Sequence, residues 1–247
     1  MLLPVIGFVL ITGRCATENE PGPDSFCDSS DPSIVACLGF DGSLTDGSVN
    51  NLVPDSIVNV SFTEGVHGQA ARFDSTSFCR FPSSAAWDFE RSTVEFRIYP
   101  EQMPASGGRS GCIDSDLRFG IFIMDGGFIS CGFGGARVTG PAIETMKWTH
   151  IACVNDTDSI RIYINGVPSA SAASDSVAPA PQSSTITIGS NNPSGDPLIG
   201  RIDDLRVFSV ARSAAAIAKD ATIAAAVPMI RSVPYSSATA NNPGLAP

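Results

Sequence analysis

The chain has 247 residues, and 25 acidic against 15 basic side chains leave a formal net charge of −10 and a pI near 4.5. That balance repels phosphate backbones unless cations cluster, and no cluster is visible, so nucleic acid is excluded as a partner. Only 16% of residues are charged while 43% are hydrophobic, and the one long unbroken apolar run lies at the very start, which excludes both an overall disordered chain and a multi-pass membrane protein.

That run, Met1 to Thr12, is shorter than the roughly 20 residues a helix needs to cross a bilayer and suits the apolar part of a secretion signal. It ends at Gly13-Arg14-Cys15, and a polar, proline-containing stretch follows to Ser25. The arrangement resembles a bacterial lipoprotein. The resemblance implies a signal-like segment over 1–14, a lipid on Cys15, a tether over 15–33, and a secreted or cell-envelope location with an anchor in the membrane. The chain departs from that pattern in carrying Arg14 in place of a small residue before the cysteine, and in lacking a Lys or Arg near Met1. A different start codon, cleavage by another peptidase and an ordinary N-terminal strand or helix are the alternatives.

Of the seven cysteines, setting Cys15 aside leaves six, Cys27, Cys37, Cys79, Cys112, Cys131 and Cys153, an even number that suits three disulfides in any of fifteen pairings. No C-x-x-C pair occurs, and His67 and His150 are far from any cysteine in metal-finger spacing, although His150 lies three before Cys153, so disulfides are favoured over zinc. The expected set joins Cys27 to Cys37 at the chain entry and Cys131 to Cys153 between two strands, leaving Cys79 for Cys112.

From Ser92 the apolar residues alternate with period two: Val94, Phe96 and Ile98 share one face, and Thr93, Glu95, Arg97 and Tyr99 take the other, which is a half-buried strand. The pattern recurs over 119–124, 151–154, 160–164, 185–188 and 199–208, each run bounded by Gly, Asn, Asp, Pro or Ser. Asn165-Gly166 is a hairpin signal, because a type I′ turn needs positive φ at both central positions. Asp125-Gly126-Gly127 marks a second tight turn, and Gly132-Phe-Gly-Gly135 and Gly107-Gly108 read as turns as well. Many short strands with turn chemistry between them predict a two-sheet antiparallel sandwich. Ser213 to Val227, alanine-rich, opened by a capping residue and stopped before Pro228, predicts one short helix. The tail over 228–247 has little periodicity and reads as disordered.

Several segments, in this order, resemble the LamG-like branch of the concanavalin A-like lectin/glucanase superfamily: Ala36-Cys-Leu-Gly-Phe-Asp-Gly-Ser-Leu-Thr-Asp46, Gly65-Val-His-Gly-Gln-Ala-Ala-Arg-Phe-Asp74, Ser92 to Pro100, Lys147-Trp-Thr-His-Ile-Ala152, Arg161-Ile-Tyr-Ile-Asn-Gly-Val167, Ile186-Thr-Ile-Gly-Ser-Asn-Asn192 and Gly200-Arg-Ile-Asp-Asp-Leu-Arg-Val-Phe208. The resemblance implies an all-β jelly roll of two antiparallel sheets with a short C-terminal helix over 34–227, in agreement with the strand reading. Fold alone does not specify function. Trp148, Phe73, Phe96, Phe208 and Trp87 read as core packing.

Glycosidases of this superfamily carry carboxylates spaced like E-x-D-x-x-E on one strand face, to flank the sugar bond with an acid and a nucleophile or base. No such triplet occurs; Glu95 reads as a surface strand residue with Arg97 as its salt partner. Nor is there a nucleophile elbow, a phosphate loop or a zinc-protease helix. Asp203 is the polar residue that stands out, because Ile202-Asp-Asp-Leu-Arg-Val-Phe208 otherwise alternates apolar residues and forces one carboxylate toward the interior. In the resembling family the corresponding aspartate ligates a structural calcium with backbone carbonyls, here those near Phe40 or Asp41 and near Gly68, a hard-oxygen set of the kind calcium takes. The competing reading has Asp203 accepting backbone amides or pairing with Arg72 or Arg201, and Asp204 facing solvent. Asn191, Asn192 and Asp196, with Asp114 and Asp116, supply polar groups for a sugar or for a second calcium, or form an ordinary solvated turn. Asn59-Val-Ser61 and Asn155-Asp-Thr157 fit glycosylation acceptors in a eukaryotic secretory setting. Together these features predict a non-catalytic recognition or adhesion module, extracellular or in the cell envelope, that binds a glycan or a protein and holds one calcium. A diverged glycosidase or polysaccharide lyase and a purely structural envelope protein are the alternatives.

Overall fold

The computed structural model describes residues 26–115, 118–174, 185–191 and 195–222. The signal-like segment with Cys15, the tail, Asp116 and Asn192 therefore lie outside the described residues. In chain order the strands are β1 (Ile34–Leu38), β2 (Ser56–Val58), β3 (Ser61–Glu64), β4 (Gln69–Phe73), β5 (Phe78–Phe81), β6 (Ser92–Pro100), β7 (Arg109–Ser115), β8 (Phe119–Met124), β9 (Phe128–Phe133), β10 (Ala136–Ala142), β11 (Thr149–Asn155), β12 (Ser159–Ile164), β13 (Val167–Ala173), β14 (Ile186–Ile188) and β15 (Gly200–Phe208), followed by one helix, α1 (Ala214–Ala221). They form an eight-stranded sheet in the order β13-β12-β11-β6-β15-β4-β3, with β1 also on β15, and a seven-stranded sheet in the order β10-β9-β8-β7-β14-β5-β2. Every pairing is antiparallel, and the two sheets make the jelly-roll sandwich that the alternation predicts.

Period two sets which side chains face the partner sheet. Val94, Phe96 and Ile98 of β6 meet Ile121, Ile123 and Ile129 of β8 and β9 in the main core, with Trp87 buried beside them. The Asn165–Gly166 turn joins β12 to β13 with φ of 50° and 77°, the left-handed pair a type I′ turn demands. Gly132 lies inside β9, with the turn itself at Gly134–Gly135, so the glycine run read as a turn is half strand.

Register shifts interrupt five of the described strand pairs, and those in β7 and β15 bear on the core and the site. In β7 the register slips between Gly111 and Ile113, so Cys112 and Ile113 both reach the core. In β15 it slips between Asp203 and Arg206, with Asp204 at φ 52°, so Ile202 and Leu205 face the core although three residues apart. Aspartate tolerates that left-handed conformation better than most residues do.

Cys27–Cys37 and Cys131–Cys153 are disulfides, with Cα atoms 5.6 and 6.3 Å apart, and the second ties the seven-stranded sheet to the eight-stranded one. Cys79 and Cys112 are buried thiols, not the expected third bridge. The reason is β14: Ile188 pairs with Cys79 on one side and with Ile113 on the other. An intervening strand holds the two cysteines about two strand spacings apart, roughly 9.5 Å, beyond disulfide reach. Burial pushes both thiols up to about 12.

The outer face of the eight-stranded sheet is covered by α1, whose Ile217 packs on Ala152, Val154 and Tyr163. Glu95 is therefore not a surface residue: it is 1% exposed, meets Arg212 Nη1, and lies 3.2 Å from His150 Nε2. Arg97 goes instead to Asp204, 3.1 Å away, and to the Asp220 carbonyl.

Candidate ligand cleft

The outer face of the seven-stranded sheet carries the positions that alternate away from the core. Register sets Asp114 of β7 opposite Gly120 of β8, Gly120 opposite Gly132 of β9, and Gly132 opposite Arg137 of β10. An acid and a base thus stand at the ends of one cross-strand row with two glycines between, and at the strand spacing of 4.7–4.9 Å the ends are roughly 14 Å apart. The missing side chain of Gly120 makes room for the Phe122 ring and the Asp114 carboxylate, and that of Gly132 for the Arg137 guanidinium; the cleft beside them has a volume of about 170 Å³ and is also lined by Arg109 and Asn191. A Cβ at Gly120 would come within 2.6 Å of the Phe122 ring and 2.7 Å of Asp114 Oδ1, so that floor position admits nothing larger. At Gly132 the nearest neighbour, Arg137 Nη2, would be 3.4 Å away, an ordinary contact.

In the next row Gly111, Phe122 and Ser130 are paired across β7, β8 and β9. Phe122 lies between two guanidinium groups, with Arg109 4.3 Å and Arg137 5.8 Å from its ring centre, a favourable arrangement for a π face. Arg109 Nε donates to Asp196 Oδ2 at 2.7 Å, and Asn191 Nδ2 donates to the same oxygen at 3.2 Å. The Gly111 amide donates to the Asp196 carbonyl at 2.7 Å, and the absence of a side chain at Gly111 lets Ser190 and Asn191 approach closely. The loop residues Asn191 and Asp196 are therefore brought to the cleft, with Asn191 in its wall and Asp196 bound to Arg109; Asn192 lies outside the described residues. Asp114 stands at the floor. The signal missed in the sequence is the glycine at alternate strand positions, 120 and 132, facing outward.

The second place singled out in the sequence is the Asp203 corner. Asp203 is fully buried; its Oδ2 accepts the amides of Val66 and His67 at 2.7 and 3.1 Å, and its Oδ1 accepts the Asp204 amide at 2.9 Å. Asp41 Oδ1 accepts the Gln69 amide at 2.8 Å. Gly68, at φ 59°, approaches Asp41 so closely that a Cβ would fall 2.0 Å from Oδ1. The three expected residues are thus gathered by the 65–69 turn. Asp204 does not face solvent: it is buried and meets His67 Nδ1 and Arg97. Arg72 and Arg201 go to Glu101 rather than to Asp203. Burial, reinforced by the adjoining Asp204 carboxylate, pushes the Asp203 carboxyl up to about 7, against the three amides that favour its charge. No cationic side chain pairs with Asp203 among the described residues. Carboxylates with backbone carbonyls are oxygen ligands of the type a hard divalent cation takes, although backbone amides already donate to both Asp203 oxygens, to Asp41 Oδ1 and, from Gly65 at 3.1 Å, to the Gly68 carbonyl. Calcium would supply charge neutralisation and a link between the 39–42 loop and the 65–69 turn, held by Asp203, Asp41 and the Gly68 carbonyl. No group of three or more His, Cys, Asp or Glu side chains is placed to hold a metal among the described residues.

Of the two glycosylation sequons, Asn155 is buried and donates to the Glu90 carbonyl at 3.0 Å, whereas Asn59 is exposed in a turn. Among the described residues no helix is long and apolar enough to cross a membrane.

No curated protein sequence matches the chain. Among solved structures it is similar to domain 4 of AbnA, a GH43 extracellular arabinanase from Geobacillus stearothermophilus in complex with arabinotriose, at 23% identity and a TM-score of 0.64, over 76% of this chain and 98% of that one. It is also similar to the binding domain of Paraclostridial Mosquitocidal Protein 1, at 16% identity and a TM-score of 0.65, over 76% of this chain and 52% of that one. Botulinum neurotoxin serotype D binding domain matches at 19% identity and a TM-score of 0.64, over 76% of this chain and 51% of that one. The chain thus spans about half the length of the two toxin domains, and at these identities the likeness is one of fold. Residues 73–218, more than half of the 247-residue chain, match the family described as the concanavalin A-like lectin/glucanases superfamily, and this chain belongs to it.

Proposed function

We propose that this protein is a non-catalytic carbohydrate-binding module, exported from the cell, whose glycan sits in the cleft on the outer face of the seven-stranded sheet. The observation that carries this reading is the Asp114–Gly120–Gly132–Arg137 row. It sets an acidic and a basic side chain on opposite sides of the cleft, with Asn191 in its wall. Sugar hydroxyls call for that mixture of donors and acceptors. The fold's occurrence in an arabinanase domain bound to arabinotriose supports the reading. Hydrolysis uses two carboxylates about 5 to 9.5 Å apart; among the described lining residues Asp114 is the one carboxylate, which favours binding over turnover. Two disulfides suit an oxidising, extracellular setting, and the Met1–Cys15 segment supports export with a lipid anchor. Calcium at Asp203 completes the proposal as a stabiliser of the fold, away from the cleft.

The test is a glycan array probed with the full chain, in calcium and in chelator, beside Gly132→Val, which fills the cleft at a position where a Cβ fits and a β-branched residue suits the strand. A saturable hit that disappears in Gly132→Val, with the melting temperature kept, is expected. A blank array, or a hit indifferent to Gly132→Val, removes the cleft as the site. Chelation is expected to lower the melting temperature; an unchanged melt removes calcium.

A further inference from the structure

We infer that the cleft selects carboxylate-bearing sugars, with Arg137 as the counter-charge; this rests on the carbohydrate reading above. The cleft gathers three of the chain's fifteen cations, Arg109, Arg118 and Arg137, in a protein of net charge −10. Two of the three are already matched. Arg109 is held by Asp196 at 2.7 Å, and Arg118 by Asp88 at 2.6 Å. Arg137 is exposed and has no carboxylate partner among the described residues. Its Nη1 donates to Ser130 Oγ at 3.1 Å, and its guanidinium lies 5.8 Å from the Phe122 ring centre. These two contacts, on the paired strand and on the strand beyond it, hold the guanidinium, which makes no other hydrogen bond among the described residues.

A guanidinium presents paired N–H donors in a fixed fork that matches a carboxylate in two-point fashion. A neutral hydroxyl takes one of those donors and leaves the charge unanswered. The opposite end of the row is acidic, and the Asp114 carboxylate disfavours a second carboxylate there. The geometry therefore points to a glycan with its carboxylate beside Gly132, where the Arg137 guanidinium lies, and its neutral hydroxyls toward β7. A uronate or a sialate residue has that chemistry.

The test measures binding of the full chain to oligosaccharides carrying galacturonate, glucuronate or sialate, each beside its carboxyl-reduced neutral form, for the native protein, Arg137→Ala and Arg137→Lys. At least one acidic oligosaccharide is expected to bind about tenfold or more tightly than its reduced form, in line with a charge-assisted, two-point contact. Arg137→Ala should bring the two to within about twofold, and Arg137→Lys should restore only part of the difference because an ammonium lacks the fork. The preference should shrink as salt is raised from 50 to 500 mM. Equal affinity for acidic and reduced forms, or a preference that Arg137→Ala leaves intact, overturns the carboxylate assignment while the carbohydrate reading stands. Failure of every acidic and every neutral glycan to bind overturns both. Because Arg137 is exposed on β10, an unchanged melting temperature in both variants shows that the fold is not the cause.

Discussion

Glu101 receives two guanidinium groups. Arg72 of β4 reaches it through Nε at 3.0 Å and Nη2 at 2.7 Å, and Arg201 of β15 through Nε at 2.9 Å. The Arg72 hydrogen bonds, aided by Arg201, hold the Glu101 carboxyl below the usual carboxylate range against its partial burial. Its folded pKa is depressed, so the folded protein binds fewer protons there than the unfolded chain, whose value is about 4.3. The contact therefore stabilises fully above about pH 4.3, and that contribution is lost as pH falls through the lower folded value. Urea unfolding at a series of pH values should show a fall in stability below about pH 4.3, and Glu101→Gln should flatten it; an identical acid slope in the variant would place the effect elsewhere. The paired guanidinium groups were not legible beforehand. Arg72 and Arg201 are 129 residues apart in sequence, and only the β4–β15 pairing sets them directly opposite. Asp203 was legible, because a carboxylate pair inside an apolar alternation has to be accommodated somehow. The bulge then turned Asp203 to the 65–69 amides and Asp204 to Arg97, a division that period two cannot foresee.

At the scale of elements, α1 shows how a short helix is kept. Eight residues do not hold a helix in water, so its stability comes from the sheet beneath. Ser213 Oγ caps it by accepting the Ala216 amide at 3.2 Å, Ile217 packs on β11 and β12, and Asp220 Oδ2 accepts from Arg206 Nη2 at 2.7 Å and from Arg212 Nη1. Arg212 also reaches the buried Glu95. Asp220→Ala leaves two guanidinium groups facing Glu95 alone and should cost about 3 kcal/mol, the scale for breaking a buried pair by removing one partner. Ser213→Ala should cost about 1 kcal/mol. Both are read from urea midpoints; a loss for Asp220→Ala no larger than that for Ser213→Ala would show that the ion cluster is not what holds the helix. The cap and the alanine run made this helix visible in the sequence. The cluster did not show: Glu95 sits in a strand where period two alone sends it outward, and burial comes from a helix more than a hundred residues later.

For the whole molecule, Cys131–Cys153 is the covalent link between the two sheets, across a separation of 22 residues. Closing a loop of that size removes conformational freedom from the unfolded chain, and replacing both cysteines with alanine should cost about 3 kcal/mol in guanidinium unfolding. Alkylation of the unfolded, unreduced protein should label Cys79 and Cys112 and spare the four bridged cysteines. Labelling of neither thiol would mean that the two are bridged after all. The period-two strands, the Asn165–Gly166 hairpin, the capped helix and the sandwich were readable from the order of amino acids, because each is encoded in residues next to one another in the chain. Which cysteines remain thiols, what buries Glu95, and how Asp114, Gly120, Gly132 and Arg137 form one row all emerge with folding. Those outcomes depend on strand order and register, and register is settled by burying a whole face of each sheet at once, a condition no local run of residues contains.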